Sequence, residues 1–270
     1  MNFLEAIFLA IIEGLTEFLP VSSTAHMIFM SSYFGIQEDE FVKMFQVSIQ
    51  FGAILAVVVL YWKKFFQLTS LQFYLKLAIA VIPALVLGKL FDDKIEAVLE
   101  KPVPIALVLI IGGVILLFVD RIFKNQTIKE EKQISIKNGL IIGFWQCLAM
   151  MPGTSRAAAS IIGGMQQRLT MRMAAEFSFF LAVPTMLAVT LYSVFLKDWN
   201  YQGKEQKGFE MILQGDNLIL FIIGNLVAFL VAVVAIKFFI EILKKYGFKM
   251  WGWYRILLGL IFLVYFTSIK

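Results

Sequence analysis

The chain has 270 residues, of which 60% are hydrophobic, and a formal net charge of +5. A soluble domain is about 45–50% apolar, so this composition indicates an integral membrane protein and excludes an ordinary soluble domain. Basic residues in cytoplasmic loops explain the positive charge without a nucleic-acid partner.

The first predicted element is an apolar but broken segment, Phe3–Phe34, in which three glutamates and a proline interrupt the hydrophobic run. A membrane-spanning helix needs about 20 mostly apolar residues in succession. A broken helix at membrane depth is tolerated where it is buried in protein or lines a cavity. We therefore predict a re-entrant helix–loop–helix with its break at Pro20.

Three continuous apolar segments follow, and then the pattern repeats. A second broken segment, Asn138–Met165, has its break at Pro152–Gly153 and precedes three more apolar segments. Continuous rather than alternating hydrophobicity favours helices over the strands of a barrel. The six predicted spans are Phe45–Trp62, Phe73–Phe91, Val103–Val119, Phe177–Leu196, Asn217–Ile236 and Trp251–Ser268.

The two broken segments resemble each other at an offset of 132, which pairs Ser22 with Thr154 and Ser23 with Ser155. Residues 1–136 and residues 137–270 would each hold one re-entrant pair and three spans. Three crossings are an odd number, so the second half is expected to be inverted, with the site at the repeat interface. The predicted fold is an all-α polytopic membrane protein with an inverted-topology repeat.

Basic residues are unequally divided between the two sets of loops that this threading produces. One side carries thirteen, and the other carries eight that are interleaved with acidic residues. The side richer in lysine and arginine is expected to be cytoplasmic. Both termini, and the entrance of the first re-entrant pair, would then face the outer, periplasmic side of a bacterial plasma membrane.

Two carboxylates precede the first break. Glu13 and Glu17 are four residues apart, so on a helix they lie on one face. Two like charges this close in a low dielectric favour either a general base or a shared cation, and oxygen ligands suit Mg²⁺ or Ca²⁺. The alternative is a pair of glutamates that snorkel to the membrane interface.

Three hydroxyls and the only histidine follow the first break. Ser22, Ser23 and Thr24 can cap the next helix, whose N-terminus is also a site for an anion. Capping needs only one hydroxyl. His26 lies three residues after Ser23, so on a helical turn it could face the same site as a base or acid. The alternative is a structural histidine.

The second break carries Thr154, Ser155 and Arg156. Arginine binds phosphate oxygens through a planar fork of donors, and here hydroxyls and a helix N-terminus lie beside it. An ion pair of Arg156 with Glu13 or Glu17 is the alternative. Together the two breaks predict an active site for a phosphate ester or anhydride.

These segments closely resemble the bacterial undecaprenyl-diphosphate phosphatase family, also known for bacitracin resistance. The resemblance covers essentially the whole chain and rests on EGLTEFLPVSSTAH, on PGTSR and on EFSFFLAVPTM. It implies a hydrolase that removes one phosphate from undecaprenyl diphosphate and so recycles the lipid carrier for peptidoglycan and other envelope polymers. Many members have SSTGH, where this chain has Ala25, and PGxSRS, where this chain has Ala157. The serine hydroxyl that is absent at Ala157 therefore cannot be essential if this protein is active.

The resemblance makes Glu13 and Glu17 the acidic pair, Ser23 and His26 the nucleophile or acid/base candidates, and Arg156 the group that binds phosphate. The residues at the breaks and the resemblance together give the following candidates. The catalytic candidates are Glu17, Ser23, His26 and Arg156, and the substrate-binding candidates are Glu13, Ser22, Thr24, Thr154 and Ser155. Glu13 and Glu17 are the candidate ligands of a divalent cation.

The mechanism that we expect is attack by Ser23 on the terminal phosphorus, with Glu17 and His26 assisting. Attack by His26 or directly by water stays open. A secondary transporter or a lipid-carrier flippase is the alternative, because inverted repeats with broken helices occur there too. A transporter, however, does not need a serine, a histidine, an arginine and an acidic pair gathered at two breaks. The sequence does not determine the oligomeric state, and a homodimer is compatible with a compact membrane enzyme.

Overall fold

The computed structural model describes residues 1–65, 71–99 and 101–268. These residues form α-helices and one antiparallel hairpin of two strands. The helices are α1 Phe3–Thr16, α2 Ser23–Tyr33, α3 Glu40–Leu60, α4 Trp62–Phe65, α5 Leu71–Leu90, α6 Asp92–Leu99, α7 Pro102–Ile122, α8 Ile136–Cys147, α9 Arg156–Gln166, α10 Met171–Leu191, α11 Gly208–Ile212, α12 Asn217–Tyr246 and α13 Lys249–Ser268. The strands are β1 Asp198–Tyr201 and β2 Lys204–Lys207.

Six helices are long and apolar enough to cross a membrane, namely α3, α5, α7, α10, α12 and α13. They coincide with the six predicted spans, which confirms an all-α polytopic membrane protein. Helices α3 and α10 begin several residues before their predicted starts, because polar caps extend them beyond the apolar run. Asp39 accepts a hydrogen bond from the Phe41 amide, and Thr170 accepts one from the Met173 amide.

Both broken segments form a helix, a break and a second helix, as predicted. The second helix of each pair is capped by a serine with positive φ, Ser22 at 69° and Ser155 at 72°. Such backbone conformations are unfavourable for residues other than glycine. The caps pair Ser22 with Ser155, an offset of 133 rather than 132, so Arg156 stands where the first break has Ser23. The division of the chain into repeats at residue 136 stays a prediction.

The most extensive helix contacts join the two halves of the chain. Helix α7 packs against α13, α1 and α3 both pack against α12, and α5 packs against α8. Phe18 in the first break is fully buried and meets Phe179 of α10 edge to face, with ring centroids 5.3 Å apart. This crossed packing brings the two breaks together in the centre of the molecule.

The loops gather at two opposite ends of the helix bundle. At one end, the N-terminal ammonium lies 3.7 Å from Asp39, and Met1 shares an apolar cluster with Trp199 of the hairpin. At the other end, Lys64 forms an ion pair with Glu131 at 2.7 Å. The loops therefore sort into the two sets that the predicted threading requires.

The hairpin was not predicted, because no element was identified in the sequence between the predicted spans Phe177–Leu196 and Asn217–Ile236. Its turn residues, Gln202 and Gly203, both have positive φ, as a type I′ turn in a two-residue hairpin loop requires. β2 consists only of polar residues and gives no strand signal, whereas β1 alternates polar and aromatic residues over four positions, a short signal that the prediction missed.

Candidate active site

A cavity of about 500 Å³ opens where the two breaks meet. Its polar end is lined by Glu17, Ser22, Ser23, Thr24, Ser155 and Arg156. Much of the remaining wall is apolar and comes from α5, from the segment before the second break, and from α10. Leu85, Met150, Met186 and Val189 belong to this wall. The cavity is thus largely apolar, with polar residues concentrated where the breaks meet and a few others, Gln50, Lys89, Gln146 and Thr185, elsewhere in the wall.

Ser23 is the first residue of α2, and its hydroxyl donates a hydrogen bond to Glu17 Oε2 at 2.8 Å. Both side chains are buried, yet both line the cavity. The turn around Pro20 brings the two residues together, because α1 ends at Thr16 and the chain reverses before α2 begins. A carboxylate that accepts from a serine hydroxyl can act as its general base.

Arg156 binds the other oxygen of the same carboxylate. Its Nε and Nη2 donate to Glu17 Oε1 at 3.1 and 3.0 Å, and its Nη1 donates to the Ser178 carbonyl at 3.0 Å. The Ser178 hydroxyl lies 2.7 Å from the hydroxyl of Ser160, which in turn donates to the Arg156 carbonyl. Helices α9 and α10 therefore hold the guanidinium in one orientation. The ion pair named as an alternative to phosphate binding is present.

The hydroxyls of the two capping serines, Ser22 and Ser155, form hydrogen bonds with backbone groups at the breaks. Ser22 Oγ accepts from the Ala25 amide at 3.4 Å, and Ser155 Oγ accepts from the Ala158 amide at 3.2 Å. Ser155 also donates to the Leu19 carbonyl of the other break. The first residues of α2 and α9 line the cavity, so the positive ends of both helix dipoles lie beside it.

His26 lies differently from the prediction that it faces Ser23. Its Nδ1 is 2.7 Å from the Ser22 carbonyl, and its Nε2 is 2.8 Å from the Tyr254 hydroxyl. The imidazole stacks on the Tyr254 ring, with centroids 5.8 Å apart. His26 lines neither described cavity. Its contacts with α13 favour a positioning role, and a catalytic role stays a prediction.

Glu13 lies behind Glu17 and is fully buried. Its polar neighbours include the Glu17 carboxylate and the Ser23 hydroxyl. Neither Glu13 oxygen has a hydrogen-bond partner among the described residues, and the side chain does not line the cavity. The predicted substrate-binding role of Glu13 would therefore require a movement of the first break.

The described residues contain no cluster of three or more carboxylate, histidine or cysteine ligands. Both Glu17 oxygens are engaged, one by Ser23 and one by Arg156. A divalent cation shared by Glu13 and Glu17 would therefore require Arg156 to leave Glu17. The two carboxylates in this arrangement do not fit such an ion, and the predicted metal site stays a prediction.

Several residues at the site were not predicted. Arg255 of α13 is 1% exposed and donates hydrogen bonds to carbonyls of both breaks, including that of Thr154. An arginine within an apolar span is a signal that could have revealed it. Gln146 lines the cavity and donates to Thr185 at 3.2 Å, and nothing in the sequence pattern distinguishes it.

Comparisons with known proteins identify the family of the chain. The family model described as "Bacitracin resistance protein BacA" matches residues 6–261. An undecaprenyl-diphosphatase of Flavobacterium psychrophilum is 55% identical over 264 residues, which are 98% of this chain and 96% of the relative. Proteins of the same name from Porphyromonas gingivalis and Campylobacter jejuni are 45% and 43% identical, with 99% of this chain covered and 98% and 96% of the relatives. The chain is therefore a member of the bacitracin resistance protein BacA family.

Proposed function

We propose that this protein hydrolyses undecaprenyl diphosphate to undecaprenyl phosphate and inorganic phosphate, and so recycles the lipid carrier for cell-wall synthesis. The relatives that cover nearly the whole chain are named undecaprenyl-diphosphatase. One structural observation carries the proposal. The Glu17 carboxylate accepts both from the Ser23 hydroxyl and from the Arg156 guanidinium, at the polar end of an otherwise largely apolar cavity.

The cavity suits an amphipathic substrate with a charged headgroup. Arg156 and the N-termini of α2 and α9 would hold the diphosphate. The prenyl chain would follow the apolar wall toward the bilayer. Leu85 and Val189 line this wall and are 45% and 38% exposed, which supports an opening of the cavity toward lipid.

Substrate binding would also prepare the base. The phosphate oxygens compete with Glu17 for Arg156, and a phosphate that takes over the guanidinium leaves Glu17 Oε1 free. Ser23 Oγ then forms a bond to the terminal phosphorus as the bond from that phosphorus to the bridging oxygen breaks. The Ser23 proton passes to Glu17, and undecaprenyl phosphate leaves with the bridging oxygen. Water then cleaves the phosphoserine, with Glu17 handling its proton, and releases inorganic phosphate. Arg156 and the helix N-termini stabilise the charge throughout.

The cavity continues toward one end of the molecule. A second cavity of about 360 Å³ shares Thr24, Gln50 and Tyr192 with the first, and it is also lined by Glu38 and Trp199. These last two residues lie in loops of the set that is poorer in basic residues. We propose that the active site opens to the outer, periplasmic side of the plasma membrane, where both termini would also lie. A homodimer stays a prediction.

Phosphate release by the purified protein in detergent tests the proposal. Wild-type protein should release inorganic phosphate from a prenyl diphosphate without a membrane gradient, and Ser23→Ala should not. A transporter or flippase would need two compartments, so an inactive wild type in detergent would overturn the proposal.

Rapid quenching with labelled substrate identifies the nucleophile. Phosphoserine supports attack by Ser23, phosphohistidine would assign the attack to His26, and no adduct would assign it to water.

A further inference from the structure

Arg255 is a buried charge that the proposed mechanism does not use. It lies in the N-terminal half of α13, it is 1% exposed, and all its described hydrogen bonds are to backbone carbonyls. No described carboxylate forms an ion pair with it. An isolated charge at membrane depth is unfavourable and by default indicates a functional role.

One guanidinium joins both breaks. Arg255 Nη1 donates to the Pro20 carbonyl at 3.2 Å and to the Thr154 carbonyl at 2.8 Å. Its Nη2 donates to the Gly153 carbonyl at 2.7 Å. Because the guanidinium is planar and rigid, these bonds set the distance between the breaks as well as joining them. A lysine ammonium cannot reproduce this fork.

Helix α7 leaves the space that this arrangement needs. Arg255 Nε donates to the Leu109 carbonyl of α7, and a Cβ atom added at Gly112 would overlap the guanidinium. The position is therefore enclosed by α7 on one side and by the two breaks on the other.

The bond to Thr154 also orients a backbone donor. In a planar trans peptide, the N–H of the next residue points away from the carbonyl. With the Thr154 carbonyl turned toward Arg255, the Ser155 N–H points to the opposite side, and Ser155 lines the cavity. The Ser155 N–H therefore lies on the side of this peptide that faces away from Arg255.

We propose that Arg255 is a positioning residue for phosphate release. It holds the breaks at the spacing at which Ser23 and Arg156 meet on Glu17, and it presents the Ser155 N–H to the diphosphate. This inference rests on the proposed phosphatase function. A misplacement of about 1 Å lowers turnover by about 100-fold. Arg255→Met should therefore lower kcat by about 100-fold, and Arg255→Lys, which retains the charge but not the fork, should lower it by about 10-fold.

Phosphate release should be measured beside wild type, with kcat expressed per folded protein from the monodisperse fraction in detergent. KM should stay within about threefold of wild type, since Arg156 and the apolar wall still bind substrate. Arg121→Met, which removes an exposed arginine of α7, is the matched control and should leave kcat unchanged. Arg255→Lys keeps the test decisive should Arg255→Met fail to fold.

Folded Arg255 variants whose kcat lies within about twofold of wild type would overturn the inference. So would variants whose total activity falls only in proportion to the amount of folded protein. An inactive wild type in the same assay would instead overturn the proposed function.

Discussion

Replacement of Glu17 by glutamine tests the centre of the site, because Glu17 is the group on which both breaks converge. The amide is nearly isosteric and can still accept from Arg156, but it cannot take the proton of Ser23. General-base catalysis contributes about 10²–10⁴-fold, which corresponds to about 3–5 kcal/mol of activation free energy. We expect kcat to fall by that factor. KM should not rise, because the change removes a charge that competes with phosphate for Arg156.

The measurement is steady-state phosphate release by Glu17→Gln in detergent. Glu176→Gln is the matched control, because Glu176 also accepts from an arginine, Arg172 Nε at 2.8 Å, but lines neither described cavity. The control should retain the wild-type kcat. A Glu17→Gln enzyme with kcat within about threefold of wild type would refute the role of Glu17 as base, and an equal decrease in both variants would show that the loss is not specific to the site.

The remaining predictions concern the nucleophile, the metal, a cap and the orientation. Ser23→Ala should form no phosphoserine and should turn over at less than about a thousandth of the wild-type rate, which rapid quenching and phosphate release measure. If Glu13 helps to bind a divalent ion, chelation should lower turnover, Mg²⁺ or Ca²⁺ should restore it, and Glu13→Gln should lose this response; turnover that chelation leaves unchanged would contradict the metal prediction. Ser155→Ala should destabilise the protein by about 1 kcal/mol through the lost cap, seen as a lower unfolding temperature. Gln37→Cys, with Cys147 replaced by serine, should react with an impermeant thiol reagent on intact cells; reaction only in inverted vesicles would reverse the predicted topology.

Local signals account for the parts of the fold that were predicted. Hydrophobic length identified the six spans, because crossing a bilayer requires an unbroken apolar helix regardless of its neighbours. Glu17, Ser23 and Arg156 were identified from the sequence because polar and charged side chains at membrane depth are energetically costly and therefore indicate a functional site. The structure brings these three residues into hydrogen-bond contact at the junction of the breaks.

The arrangement within the site depends on contacts that are remote in sequence. Arg156 and Glu17 are 139 residues apart, and the bond from Arg255 to the Pro20 carbonyl spans 235 residues. His26 could have faced Ser23 on helical spacing alone, but its contact with Tyr254 depends on where α13 packs. Sequence periodicity describes one helix at a time, whereas these pairings follow from how helices of the two halves cross. The sequence by itself determined the spans, the breaks and the chemical groups of the site, and only the tertiary structure decided which groups meet.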